Sequence, residues 1–311
     1  MADVVTFGEP MVLLAGDRDK IYDSNHFTKY IAGSELNVSV GLARLGHDVI
    51  YATKLGEDPF GRYIYDFIKK EGINPSYIKF DSSNLTGLMF KSKKENGDPE
   101  IFYFRKHSAA SFMDQKDLEF VKLLNPKFIH LTGITLGLST NTRNAFNFLL
   151  KIAKGKNVPV IFDPNLRPQL WKDKDEMAKI INDAAFSSDI FLPGLKEAEI
   201  LTGLLDPKMI GHFYIEKGVK IVIIKMGEKG AFVISKDESY DVPAFHVKVV
   251  DTVGAGDGFD VGIISGLLDG ISLREAIVRA NAIGAMQVMT PGDNDGLPNR
   301  AKLEEFLRGA R

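Results

Sequence analysis

The stretch Asp251-Thr252-Val253-Gly254-Ala255-Gly256-Asp257 has the residue types and spacing that most clearly support chemistry. Behind it Phe259, Ile263, Ile264, Leu267 and Leu268 give a helical apolar surface, so Gly254, Ala255 and Gly256 fall at a helix start. Backbone N–H groups in a first turn have no acceptor within the helix, and small side chains leave them open to an anion. Asp257 falls in the same turn. A carboxylate there repels phosphate, but it can accept a proton from a substrate hydroxyl that attacks a phosphoryl group held by the amides. The structural alternative is that Asp257 only complements the helix dipole.

Three other groups carry chemical potential. Asp163, Asn165 and Arg167 follow the apolar run Val158–Phe162, where a doubly wound sheet displays ligand residues. In Ile101–Arg105 the alternation puts Tyr103 and Arg105 on one face and Phe102 and Phe104 on the other. A phenol beside a guanidinium suits an oxygen-rich anion, because arginine offers parallel hydrogen bonds to a planar carboxylate. In Lys225-Met226-Gly227-Glu228-Lys229-Gly230, two glycines three positions apart permit a tight connection and close ligand approach, although hairpin turns use glycine too.

These residues need a rigid frame. Val4–Phe7, Val49–Ala52, Phe128–Leu131, Val158–Phe162, Ile190–Leu192 and Ile221–Ile224 read as nearly continuous apolar strands. Such strands require helices on both faces, so the fold class is α/β, doubly wound around a mostly parallel sheet. A helix is predicted over Glu35–Leu45 and ended by Gly46; another opens at Ser139 or Thr140 and stops at Gly155. Ser272–Glu275 is a capping box. Residues around 11–33 and 84–106 are β-like, with Asn96-Gly97 as a hairpin signal, and predict a small sheet projecting as a lid from a domain spanning 1–311.

Composition narrows the function. The 311 residues are 44% hydrophobic and 26% charged with a net charge of −2, and the lysines are interleaved with acids. A nucleic-acid footprint needs a basic face, so no nucleic-acid partner is expected. The absence of cysteine excludes thiolate metal sites and cysteine nucleophiles. No run approaches the roughly 20 apolar residues of a membrane span, and the expected setting is cytoplasmic, with no membrane partner.

The stretch 251–257 closely resembles the C-terminal signature of ribokinase-like (PfkB) carbohydrate kinases, usually Asp-Thr-x-Gly-Ala-Gly-Asp, and agreement extends along almost the whole chain. Gly33-Ser34-Glu35-Leu36-Asn37 resembles the N-terminal sugar-binding segment, usually Gly-Gly-x-x-x-Asn, with Ser34 in place of the second glycine, a departure that fits keto-deoxy sugar kinases. Asp163-x-Asn165-x-Arg167 matches the family's Asp-x-Asn-x-Arg.

The resemblance implies a ribokinase-like fold, Asp257 as general base and an anion hole at Gly254, Ala255 and Gly256. It also implies sugar contacts from Gly33, Asn37, Tyr103, Arg105, Asp163, Asn165 and Arg167. Lys225, Gly227, Gly230 and Asn281 would lie on the nucleotide side, Asn281 serving equally well as a polar residue between helices. ATP and Mg²⁺ are the implied donor and metal. The family's Asn-x-x-Glu element reads Gly194-Leu195-Lys196-Glu197 here, which leaves Glu197 as the outer-shell magnesium residue.

Residues resembling Tyr103, Arg105 and Arg167 bind the keto acid in the family's keto-deoxygluconate kinases, so the resemblance implies 2-keto-3-deoxy-D-gluconate, phosphorylated at its C6 hydroxyl, as substrate; a fructokinase or another sugar kinase is the alternative. A non-enzymatic carbohydrate-binding protein is a different class of answer, and it would need neither Asp257 nor a nucleotide-side loop. The Phe102/Phe104 face motivates a homo-oligomer joined through the lid.

Overall fold

Runs of β-branched and aromatic residues separated by amphipathic helices produce two sheets in the computed structural model, which describes residues 2–93 and 100–309. In chain order the strands are β1 (Val4–Phe7), β2 (Met11–Gly16), β3 (Phe27–Ala32), β4 (Val49–Gly56), β5 (Ile78–Asp81), β6 (Gly87–Lys91) and β7 (Ile101–Phe104). They continue with β8 (Phe128–Thr132), β9 (Val160–Asp163), β10 (Ile190–Phe191), β11 (Ile221–Lys225), β12 (Ala231–Ser235) and β13 (Ser239–Val242).

The larger sheet has the order β13-β12-β11-β10-β9-β8-β1-β4-β5. Neighbours from β11 to β5 are parallel, and β12 and β13 extend one edge antiparallel. Successive strand residues face opposite sides, so the core divides in two. Val5, Leu131 and Phe162 pack with the helical residues Phe146, Ile181 and Tyr214; Val4, Tyr51 and Ile161 pack with Leu36, Ile264 and Ile283 on the other side. Each fully buried side chain of this kind contributes roughly 1.5–3 kcal/mol relative to exposure.

Strand order reverses between β1 and β8, because the chain builds outward through β4 and β5 and then returns to build the other way. Such a switch point opens a crevice beyond the C-terminal strand ends. Glu9, Asp163, Gly194 and Lys225 stand at or just past the ends of β1, β9, β10 and β11.

The predicted small sheet is present, in the order β3-β2-β6-β7, with β2 and β6 parallel and the outer pairs antiparallel. One face carries Met11, Leu13, Met89, Tyr30 and Tyr103. The opposite face carries an aromatic row, with ring centroids 5.6 Å apart for Phe27–Phe90, 5.5 Å for Phe90–Phe104 and 5.1 Å for Phe102–Phe104. The Asn96-Gly97 turn lies outside the described residues.

One helix boundary departs from expectation. The helix Thr140–Lys156 passes through Gly155 and ends at Asn157, whose φ of 54° turns the next N–H, that of Val158, back onto the Ala153 carbonyl at 2.9 Å. Glycine weakens a helix without barring it, and the stop comes from the asparagine in the left-handed conformation. The following strand accordingly starts at Val160, after Val158 and Pro159.

Candidate active site

The helix Ala255–Leu268 begins after Gly254, whose φ is 78°. A Cβ at Gly254 would lie 2.2 Å from the Asp293 carbonyl oxygen, so both conformation and space demand glycine. A Cβ at Gly256 would approach Lys225 Nζ at 3.6 Å. The expected helix start is thus present, and the first-turn N–H groups of Ala255 and Gly256 have no helical acceptor.

Asp257 is buried and held by three side chains from two distant segments. Ser34 Oγ donates to Oδ1 at 2.6 Å and Asn37 Nδ2 donates to Oδ2 at 2.7 Å. Asn165 Nδ2 lies 2.8 Å from Ser34 Oγ and 3.4 Å from Asp257 Oδ1. The serine that departs from the family's second glycine therefore puts a hydroxyl directly on this carboxylate. Asn165 has φ 36°, a backbone state that asparagine tolerates better than most residues.

Two cavities meet at the turn. Gly33, Asn37, Tyr103, Arg105, Asp163, Asn165, Arg167, Gly254 and Asp257 line a cavity of about 510 Å³. Gly227, Gly230, Ala255 and Asn281 line another of about 400 Å³, together with Phe245, Phe259 and Val288. Lys225, Thr252 and Gly256 belong to both walls. Asn281 also donates to the carbonyls of Val242 and Pro243, at 3.2 and 3.0 Å, so it anchors the wall that it lines.

The two arginines differ. Arg105 reaches the first cavity, as its alternation with Tyr103 predicts, but its charge is already matched. Its Nε and Nη2 lie 2.7 and 2.5 Å from Glu9 Oε2, and Ser108 Oγ donates to the other Glu9 oxygen. Arg167 is half-buried and its Nη1 donates to the carbonyls of Asn165 and Leu166 at 3.3 and 3.0 Å; among the described residues it pairs with no carboxylate.

Lys225 Nζ stands 2.9 Å from Asp163 Oδ2 and 3.4 Å from Asp260 Oδ1. Burial opposes its charge, but the Asp163, Asp260 and Glu197 carboxylates outweigh burial and raise its pKa above the lysine range. Asp293 lines the first cavity with Oδ1 buried and, among the described residues, without a hydrogen-bond partner. Burial first, then the Asp257 charge, pushes its pKa up to about 7. Glu9 and Asp293 were not legible as site residues. Glu9 follows a strand without any spacing signal, and an acid after Pro291-Gly292 looks like an ordinary exposed turn.

Glu197 accepts the N–H of Gly194 and of Leu166, both at 2.7 Å, and so caps its own helix. Burial and the nearby Asp163 raise its pKa. Among the described residues no group of three or more His, Cys, Asp or Glu side chains could cage a metal. Magnesium usually keeps several waters and binds through substrate phosphates with one or two carboxylates, and Asp163 with Glu197 fits that outer arrangement. No helix among the described residues is long and apolar enough to cross a membrane.

Residues 1–300 match the pfkB family of carbohydrate kinases. The chain is 42% identical over 312 residues to the 2-dehydro-3-deoxygluconokinase of Bacillus subtilis (strain 168), covering 99% of this chain and 96% of that protein. A crystal structure of a PfkB protein from Polaromonas sp. JS666 matches with a TM-score of 0.89 and 41% identity, covering 98% of this chain and 99% of that one. A crystal structure from E. coli in complex with ATP and Mg²⁺ matches with a TM-score of 0.91 and 26% identity, covering 99% of this chain and 100% of that one.

Proposed function

Because the chain belongs to the pfkB family of carbohydrate kinases, we propose that it transfers the γ-phosphoryl group of ATP to the C6 hydroxyl of 2-keto-3-deoxy-D-gluconate. The products are 2-keto-3-deoxy-6-phosphogluconate and ADP. The observation that carries this reading is the place of Asp257, buried and fixed by Ser34 and Asn37 beside a turn whose Gly256 belongs to both cavities.

Asp257 takes the proton of the C6 hydroxyl as that oxygen attacks the γ-phosphorus. The new O–P bond forms, the bond to the β,γ-bridging oxygen breaks, and ADP leaves with the electron pair. The amides of Gly254, Ala255 and Gly256 face the charge that develops on the phosphoryl oxygens. Lys225, protonated beside Gly256, adds a fixed positive charge at the junction. Bound Mg²⁺ would neutralise the phosphates, with Asp163 and Glu197 holding its waters. Gly227, Gly230 and Asn281 form the nucleotide wall.

On the sugar side Arg167 supplies the charge for the substrate carboxylate. Gly33, Asn37, Tyr103, Asn165 and Asp293 surround its hydroxyls, and Arg105, matched by Glu9, shapes the wall. A neutral hexose would leave the Arg167 guanidinium without a counter-charge, which favours the acid. ATP as donor accords with a cytoplasmic setting. The lid's outer face, with Phe102 and Phe104 56% and 59% exposed, supports a homo-oligomer joined there, and a monomer by light scattering would contradict it.

The test is a comparison of sugars with ATP and Mg²⁺. We expect kcat/KM for 2-keto-3-deoxy-D-gluconate to exceed that for fructose or ribose by about 100-fold or more. Equal activity on fructose, or none on the keto acid, overturns the substrate assignment.

A further inference from the structure

Lys91 ends β6 on the inner face of the lid. Met89, two positions earlier on that face, pairs with Tyr103 across the strands, and both line the sugar-side cavity. A lysine is seldom buried without a partner, yet Lys91 is only 8% exposed. Its partner is Asp251, the first residue of the glycine-rich stretch, with Nζ 2.8 and 2.7 Å from the two carboxylate oxygens.

Asp251 Oδ1 also accepts the N–H of Val253 at 3.2 Å, which bends the chain into Gly254. From the main domain, Gln287 Nε2 donates to the carbonyls of Val253 and Gly292 at 3.3 and 2.7 Å. The turn is thus held on one side by the domain and on the other by the lid. Around the ion pair, β2, β3 and residues 249–252 stand apart across a cavity of about 650 Å³, which Lys91 spans. Both partners are largely out of water, so salt screens the pair little and removal of one partner strands the other's charge.

We infer that Lys91 is a positioning residue that makes the order of the phosphate-binding turn depend on the lid. Sugar held against the face carrying Met89 and Tyr103 fixes the sheet in the position that keeps the Lys91 ammonium on Asp251. The turn is then set to present the Ala255 and Gly256 amides, and the sugar-loaded protein binds nucleotide more tightly than the free protein. This inference rests on the reading of residues 254–256 as the phosphate site.

The experiment measures affinity for a non-hydrolysable ATP analogue with and without saturating sugar. It uses whichever sugar the wild type phosphorylates, so a failure of the keto-acid assignment shows separately. In the wild type, sugar is expected to tighten nucleotide binding about tenfold. Lys91→Met should reduce that to under about twofold and lower kcat, with the sugar KM within about threefold of wild type. Lys91→Arg keeps the charge and should restore most of the coupling. Asp251→Asn should repeat the loss, and the double variant, which strands no charge, should add nothing to it and provides the measurement if a single variant fails to fold. Wild-type coupling in Lys91→Met, in Asp251→Asn or in the double variant overturns the inference. So does an equal loss in Lys91→Arg, or a wild-type nucleotide affinity that ignores sugar.

Discussion

The cavities proposed for sugar and for nucleotide share Lys225, Thr252 and Gly256 but are built on opposite principles. The first is walled by charged and amide side chains drawn from the segments just after β1, β7 and β9 and the turn near Asp293. The second is walled largely by glycine, alanine and apolar side chains, with Lys225 at its inner edge. A flat apolar ring and a phosphate chain can be recognised by surface and backbone. A small polyhydroxy acid needs side-chain hydrogen bonds and a matched charge.

Substitutions can break that division. The largest effect is expected at the seam: Asp257→Asn preserves shape but removes the proton acceptor, so turnover should fall about 10³-fold while both substrates still bind. Steady-state rates with separate binding titrations check this, and near-normal turnover would remove Asp257 from the role. Next comes the sugar side. Arg167→Gln should raise KM for the keto acid about 50-fold and leave KM for ATP within about threefold, because only the sugar carries the lost counter-charge. Equal changes in both constants would show that the two walls are not separate.

On the nucleotide side, Asn281→Leu should raise KM for ATP about fivefold and leave the sugar constant alone, through the loosened wall at Val242 and Pro243. The smallest effect concerns stability. Folded Asp293 keeps its proton up to about pH 7, whereas the unfolded carboxyl loses it near about 4. Between those values the folded chain binds more protons, so the stability that this group allows is present at low pH and is lost as pH rises through the window. Asp293→Asn should therefore raise Tm by about 2–4 °C at pH 8 and by less at pH 5, while weakening the sugar. A gain that does not vary with pH would mean that the carboxyl is not held protonated.

How much could be read in advance followed the distance over which each feature is encoded. The 251–257 turn is local: its glycines, its helix start and its acid are contiguous, so its geometry was legible. The parallel sheet was legible from two-sided apolar strands, and the small sheet from the β-like stretches 11–33 and 84–106. Long-range pairings were not. Glu9 meets Arg105 across 96 positions and Ser34 meets Asp257 across 223, and neither pairing leaves a periodicity or spacing along the chain. Gly155 misled for a local reason: glycine can continue a helix, and the stop was set two residues on, where left-handed Asn157 turns the Val158 N–H onto the Ala153 carbonyl.

The most direct test follows the phosphorus itself. Coupled ³¹P–¹H NMR of wild-type protein with ATP, Mg²⁺ and 2-keto-3-deoxy-D-gluconate should show one new phosphomonoester signal, split by two methylene protons and growing in step with ADP, and no such signal with Asp257→Asn. ATP consumed only to inorganic phosphate, a phosphate coupled to a methine carbon's single proton, or an undiminished signal from Asp257→Asn would contradict transfer to C6 by this carboxylate.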